Sequence, residues 1–192
     1  GSSKYLMSGE TYWGLQDRKA HYQKLAGMLN GTTGTLVAMA PRQVPFRLDP
    51  GDLGRYERWQ DAGYRRKGWA TVDTCKPFYL QVPGGLSERN FPYQGYMWYI
   101  FELHLPADAK DKPLTLYSPI VVDDAWVWLN GAFLQHRGHI EPYCRPAELT
   151  ADVTGRLQPG RNVVAVRVST GFSPAAVADG FMGRLFVYSP VT

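Results

Sequence analysis

The stretch 135–146, QHRGHIEPYCRP, brings together His136, Arg137, His139, Glu141, Tyr143 and Arg145. Guanidinium groups donate, a carboxylate accepts, imidazole and phenol do both, and the phenol adds an apolar face. Such a set suits recognition of a hydroxyl-rich ligand; it equally suits a structured surface loop whose polar residues satisfy one another. A second stretch, 169–183 (STGFSPAAVADGFMG), contains Asp179 as its only acid. Asp179 is a candidate ligand contact, but an Asp before Gly180 is also ordinary turn chemistry. Asn90, in the loop ahead of Gly95, is a third polar candidate.

Complete catalytic sets do not emerge. Asp123 and Asp124 are adjacent and so point to opposite sides of a strand or lie in a turn, whereas a glycosidase needs two acids about 5–10 Å apart around one bond. Asp108 and Asp111 read as turn residues. The sequence has no nucleophile elbow, phosphate-binding loop or His-Glu-x-x-His. Cys75 and Cys144 stand alone, without the spacing of a zinc site, and their pairing is not legible from sequence. Loop carbonyls and Asp side chains could hold a structural Ca²⁺, although no dense acidic spacing marks a dedicated site. No other cofactor is expected.

The elements that must carry these residues read as strands. The chain has 192 residues, 44% hydrophobic, 20% charged and 14% aromatic, enough to bury a core within one unit. From Gly95 onward, strand-like runs recur about every 8–12 residues, the spacing of a sandwich or barrel. In YMWYIFELHLP one face carries Tyr99, Phe101, Leu103 and Leu105 and the other Glu102 and His104. Trp98 shares the second parity, so it is expected at the surface as an aromatic ligand platform. Val163–Val168 alternate in a similar way with Arg167 outward. Trp126 and Trp128 share one face of their strand, as core or inter-sheet packing or as a stacking platform.

Asn130-Gly131 is the strongest hairpin signal, because a two-residue type I′ turn needs positive φ at both positions. Upstream, ETYWGLQDRKAHYQKLAGML over 10–29 has helical spacing and ends in Asn30-Gly31. The expected organisation is a helical extension over 1–35 and an all-β jelly-roll sandwich over 36–192.

The formal charge of +4 and pI near 9.1 form no basic stripe, which argues against nucleic acid. No run approaches the ~20 apolar residues of a spanning helix, so no membrane partner is expected. Gly1 and Ser2 read as a cloning remnant, so a leader or neighbouring domain is expected to lie outside this sequence.

GYMWY at 95–99, AWVWLNG at 125–131, Asp152-Val153-Thr154, Leu157-x-Pro-Gly-x-Asn162 and VAVRV at 164–168 together resemble the sugar-binding domain of family 2 glycoside hydrolases. The resemblance runs from Gly95 to Tyr188, with a looser likeness over VPFRLDPGDLGRYERWQ. It implies a galactose-binding-like jelly roll, the module that precedes the catalytic barrel in β-galactosidases, β-glucuronidases and β-mannosidases. It also implies that 135–146 faces the barrel, that Asp179 reaches substrate and that Asn90 plays a partner role at a different spacing. The barrel's carboxylates lie beyond such a module, so hydrolysis by this chain alone is not expected. The expectation is therefore a noncatalytic carbohydrate-binding or accessory domain of a secreted or periplasmic polysaccharide-degrading hydrolase. Its partners would be an oligo- or polysaccharide and an adjacent catalytic domain. The alternative is a structural domain that packs on such a catalytic domain without a ligand of its own.

Overall fold

The computed structural model describes residues 15–140, 147–170 and 180–191, with side chains in the first helix from Lys19 onward. Helix α1 spans Leu15–Asn30. Ten strands follow: β1 Gly34–Met39, β2 Gln43–Asp49, β3 Ala70–Asp73, β4 Gly95–Leu105, β5 Thr115–Ser118, β6 Ala125–Leu129, β7 Ala132–Arg137, β8 Leu149–Asp152, β9 Gly160–Thr170 and β10 Phe186–Pro190. They form two antiparallel sheets, ordered β1-β10-β5-β8 and β3-β2-β4-β9-β6-β7. The protein is an all-β sandwich with a helix at its N-terminal side, as the strand periodicity predicts.

Alternation fills the space between the sheets. Met97, Tyr99, Phe101, Leu103 and Leu105 of β4 meet Val164, Val166 and Val168 of β9, Ala125, Val127 and Leu129 of β6, and Leu116, Leu149 and Val187 of the smaller sheet. Asn130 and Gly131 have φ of 50° and 85°, the left-handed pair that the β6–β7 reversal requires. Asn130 Nδ2 donates to Asn162 Oδ1 at 2.9 Å, and Asn130 Oδ1 accepts from Val163 N at 2.8 Å. Buried Asn162 also donates to the carbonyls of Gln158 and Gly160, so the chain re-enters the sheet with its backbone groups satisfied. Asp152 Oδ1 accepts from Thr154 N at 2.9 Å, closing the expected Asp-Val-Thr turn.

The outer faces are covered too, contrary to the expectation from strand alternation. Trp98 is fully buried instead of surface-exposed. Trp126 and Trp128 do not pack between the sheets: with Trp59, Trp98, Ile100, Val163 and Ala165 they belong to a second core on the outer face of the six-stranded sheet. The segment 50–69 roofs it. Trp59 crosses Trp98 edge-on at 6.1 Å and Trp69 at 5.2 Å, while Trp98 stacks on Trp128 at 5.1 Å. Asp49 pins the roof by accepting from Leu53 N, Gly54 N and Trp98 Nε1. Arg66 holds its far end through the carbonyls of Trp59, Asp61 and Tyr64.

On the opposite side, Met28 of α1 packs on Tyr117 and Phe186 of the smaller sheet. Lys24 Nζ lies 2.7 Å from Glu148 Oε2, and His21 Nδ1 3.7 Å from Oε1. Burial alone raises the Glu148 carboxyl, but hydrogen bonds to His21 and Lys24 outweigh it and hold the group at about 2. A carboxyl depressed in the folded state stabilises above its unfolded pKa near 4.5 and loses that contribution as pH falls through the folded value. Thermal unfolding of wild type and Glu148→Gln should therefore differ at neutral pH and converge between about pH 4.5 and 2. A pH-independent difference would show that Glu148 acts by packing alone.

Candidate functional site

Strand direction decides which loops share a rim. β4 begins at Gly95 opposite Thr170, where β9 ends; β6 begins at Ala125 opposite Arg137, where β7 ends; and β2 ends at Asp49 opposite Tyr96. The segment 120–124 ties the rim together. Val121 N donates to Ala147 O, Val122 N to Gly180 O, Met182 N to Ile120 O and Ser169 N to Asp124 O. Residues 147 and 180 close the stretches holding Tyr143, Arg145 and Asp179, so both stretches return to this one rim. Those three residues, and Cys144, lie outside the described residues. Thr170 Oγ1 donates to Tyr93 O at 3.0 Å, which brings the 84–94 loop and Asn90 to the same end.

Asp123 and Asp124, adjacent in the chain, each take one imidazole. Asp124 Oδ1 lies 2.8 Å from His136 Nε2, and buried Asp123 contacts His139 Nδ1 through Oδ1. A carboxylate can only accept, so it places the proton on the facing nitrogen and fixes the ring's tautomer and orientation. In the neutral ring this tautomer leaves His136 Nδ1 as the acceptor, suited to a ligand hydroxyl. Sequence marked both histidines but not their acids, since the pairs join residues 12 and 16 apart.

Arg137 points back to the carbonyls of Val121 and Gly138. Burial lowers its pKa to about 10, against the raising effect of Asp124 and Asp123. Its visible work is to hold the loop's two ends together. Asn90 has φ of 59° and donates its N–H to Ser87 O, a left-handed turn residue on the surface. Its neighbour Phe91, which the sequence reading passed over, is 64% exposed.

A row of side chains crosses the outer face below the rim. Trp98, Arg167, Trp126 and His136 stand directly opposite one another on β4, β9, β6 and β7. Arg167 lies 3.6 Å over Tyr96 and 4.5 Å over Trp126, while His136 stacks on Trp126 at 4.5 Å and 9°. Arg167 and His136 come from the strands on either side of β6, so both faces of Trp126 are occupied from within the chain. The row is a cation–π stack that stiffens the sheet. Only the edge of Trp126 remains for a ligand. Arg167 is outward in register, as its parity predicts, yet only 2% exposed, with Nη2 2.6 Å from Asp52 Oδ1. Among the described residues no group of three His, Cys, Asp or Glu converges as cation ligands, and no helix is long and apolar enough to cross a membrane.

These two packed antiparallel sheets, with loops gathered at one rim, define a jelly-roll β-sandwich. The solved structures it is similar to are β-glucuronidases. The enzyme from Ruminococcus gnavus superposes with a TM-score of 0.63 at 16% identity, over 80% of this chain and 29% of the enzyme. Its complex with uronic isofagomine gives 0.65 at 16% identity, over 82% and 29%. A β-glucuronidase from an uncultured Clostridium gives 0.64, also at 16% identity over 82% and 29%. The likeness shows a shared fold, and this chain spans 29% of those enzymes' length. No family model matches the chain, and no curated protein does.

Proposed function

We propose that this chain is a noncatalytic accessory domain of a glycoside hydrolase related to family 2, and that its rim meets carbohydrate at the edge of a neighbouring catalytic domain. The single observation that supports the reading is that the described ends of the 135–146 and 169–183 stretches and the 84–94 loop meet at one rim, in a sandwich fold shared with β-glucuronidases. The contacts would come from His136 and His139, each oriented by its carboxylate, with Phe91 as an exposed apolar face and Asn90 beside it. Tyr143, Arg145 and Asp179 belong to the same proposal through the anchored ends of their loops. Residence outside the cytoplasm is part of it.

Calorimetric titration with galactan, mannan, xylan and uronan oligosaccharides tests the carbohydrate contact. Binding should weaken at least tenfold, about 1.4 kcal/mol, in His139→Ala and Phe91→Ala. No heat with any of the four would remove the carbohydrate contact. The second reading, a domain that only packs against a catalytic neighbour, draws on a specific observation: Leu53 and Phe91, on two rim loops, are 54% and 64% exposed. Both would be buried in the full-length protein, so protection of the 51–56 and 86–94 amides from hydrogen exchange there, with no saccharide effect, would favour packing.

A further inference from the structure

At the end of the six-stranded sheet away from the rim, β2 and β4 part company. They pair only from Phe46↔Tyr99 to Asp49↔Tyr96; beyond that, β2 pairs with β3 alone and β4 with β9 alone. The residue that would next face β4 is Pro45, which has no N–H to give the ladder. The opening is a cavity of about 560 Å³ whose lining includes Gln43, Pro45, Tyr64, Ile100, Glu102 and His104. That volume lies within the ~300–1,000 Å³ of small-ligand sites. Glu102 lies six residues from Tyr96, or about 20 Å along the strand at ~3.3 Å per residue, so this is a place separate from the rim.

The lining selects a ligand class. Ile100, at 2% exposure, and Pro45 give an apolar floor, and Tyr64 a half-exposed aromatic wall. The charges are already matched: Arg161 grips both oxygens of Glu102 at 3.0 Å, and Arg66, which also lines the cavity, spends its terminal nitrogens on three backbone carbonyls. No charged group there demands an ionic partner. What is left to offer is the remaining lone pairs of an immobilised carboxylate, the Gln43 amide, the His104 imidazole and the Tyr64 hydroxyl. Fixed acceptors and donors around an apolar floor match a pyranose ring, with hydroxyls at its rim and a C–H face below.

We infer that the cleft between the diverging ends of β2 and β4 is a second, rim-independent binding site for a saccharide unit. Glu102 accepts from ring hydroxyls, Gln43 and His104 complete the polar contacts, and the ring lies against Pro45, Ile100 and Tyr64. The test is an amide NMR titration of the whole protein with cello-, xylo-, manno- and galactohexaose and an oligogalacturonide. At least one should shift resonances at 43–44, 64–66 and 100–104. Apparent affinity at those resonances should fall at least tenfold in Glu102→Ala and in Gln43→Ala, both surface changes, and stay within twofold in Phe91→Ala. Shifts confined to the rim, unchanged cleft affinity in both variants, or no cleft shift with any sugar would each overturn the inference. Rim shifts alone leave the rim reading standing without the cleft; cleft shifts alone do the reverse.

Discussion

Asp49→Ala is expected to lower unfolding free energy by about 3–5 kcal/mol, because one buried carboxylate serves three donors that no water replaces. Asp49 is 2% exposed and accepts from Leu53 N at 2.7 Å, Gly54 N at 3.0 Å and Trp98 Nε1 at 2.9 Å. Each donor left buried without an acceptor costs about 1–3 kcal/mol. The loss falls on the roof before it reaches the sandwich, since these bonds fasten 50–69 over the outer tryptophans. Urea unfolding followed by tryptophan emission should show a lower midpoint and a red-shifted native spectrum as Trp59 and Trp98 meet water. Gly54→Ala should act in the same direction, because a Cβ there would lie 2.4 Å from Trp98 Nε1 and 2.7 Å from Trp59. A cost below about 1 kcal/mol for Asp49→Ala would mean that the roof is held by apolar packing alone.

Arg167→Ala is the second large effect, about 2–4 kcal/mol. Its guanidinium lies 3.6 Å over Tyr96 and 4.5 Å over Trp126 and is paired with Asp52, whose side chain is 24% exposed. Breaking a fully buried pair costs about 3–5 kcal/mol, and the partial exposure of Asp52 reduces the Coulombic share. Two cation–π contacts add about 0.5–2 kcal/mol each. Arg167→Met keeps much of the stem's contact with the rings and should recover part of the loss. Asp52→Asn in the Arg167→Met background should cost little further, since the charge it loses then has only the exposed Arg55, 2.9 Å away, as a partner. Strict additivity of Arg167→Met and Asp52→Asn in a double-mutant cycle would refute the pairing.

The rim shows how far sequence reaches toward a site. His136 and His139 were legible as polar residues in one stretch, and so were Asp123 and Asp124 as neighbouring acids. Their pairing was not, because it depends on how β6 and β7 bring their open ends together. Trp98 was misplaced for a related reason. Parity sent it to the outer face correctly, but a strand's outer face is wet only if nothing covers it, and 50–69, with its Gly, Pro and mixed polar residues, gave no periodic sign that it would fold back as a roof.

The sequence alone determined the alternation of β4, β6 and β9, the reversal at Asn130-Gly131, the Asp152–Thr154 turn and helix α1, because each follows from steric and periodic rules acting over a few residues. Tertiary structure alone decided the outer tryptophan core, the gathering of loops at one rim and the cleft where β2 leaves β4. Those rest on partners such as Trp98 and Asp49, 49 residues apart, and Arg167 and Asp52, 115 apart. Contacts at such separations exist only once the whole chain has chosen which face to cover, and no local pattern of residues records that choice.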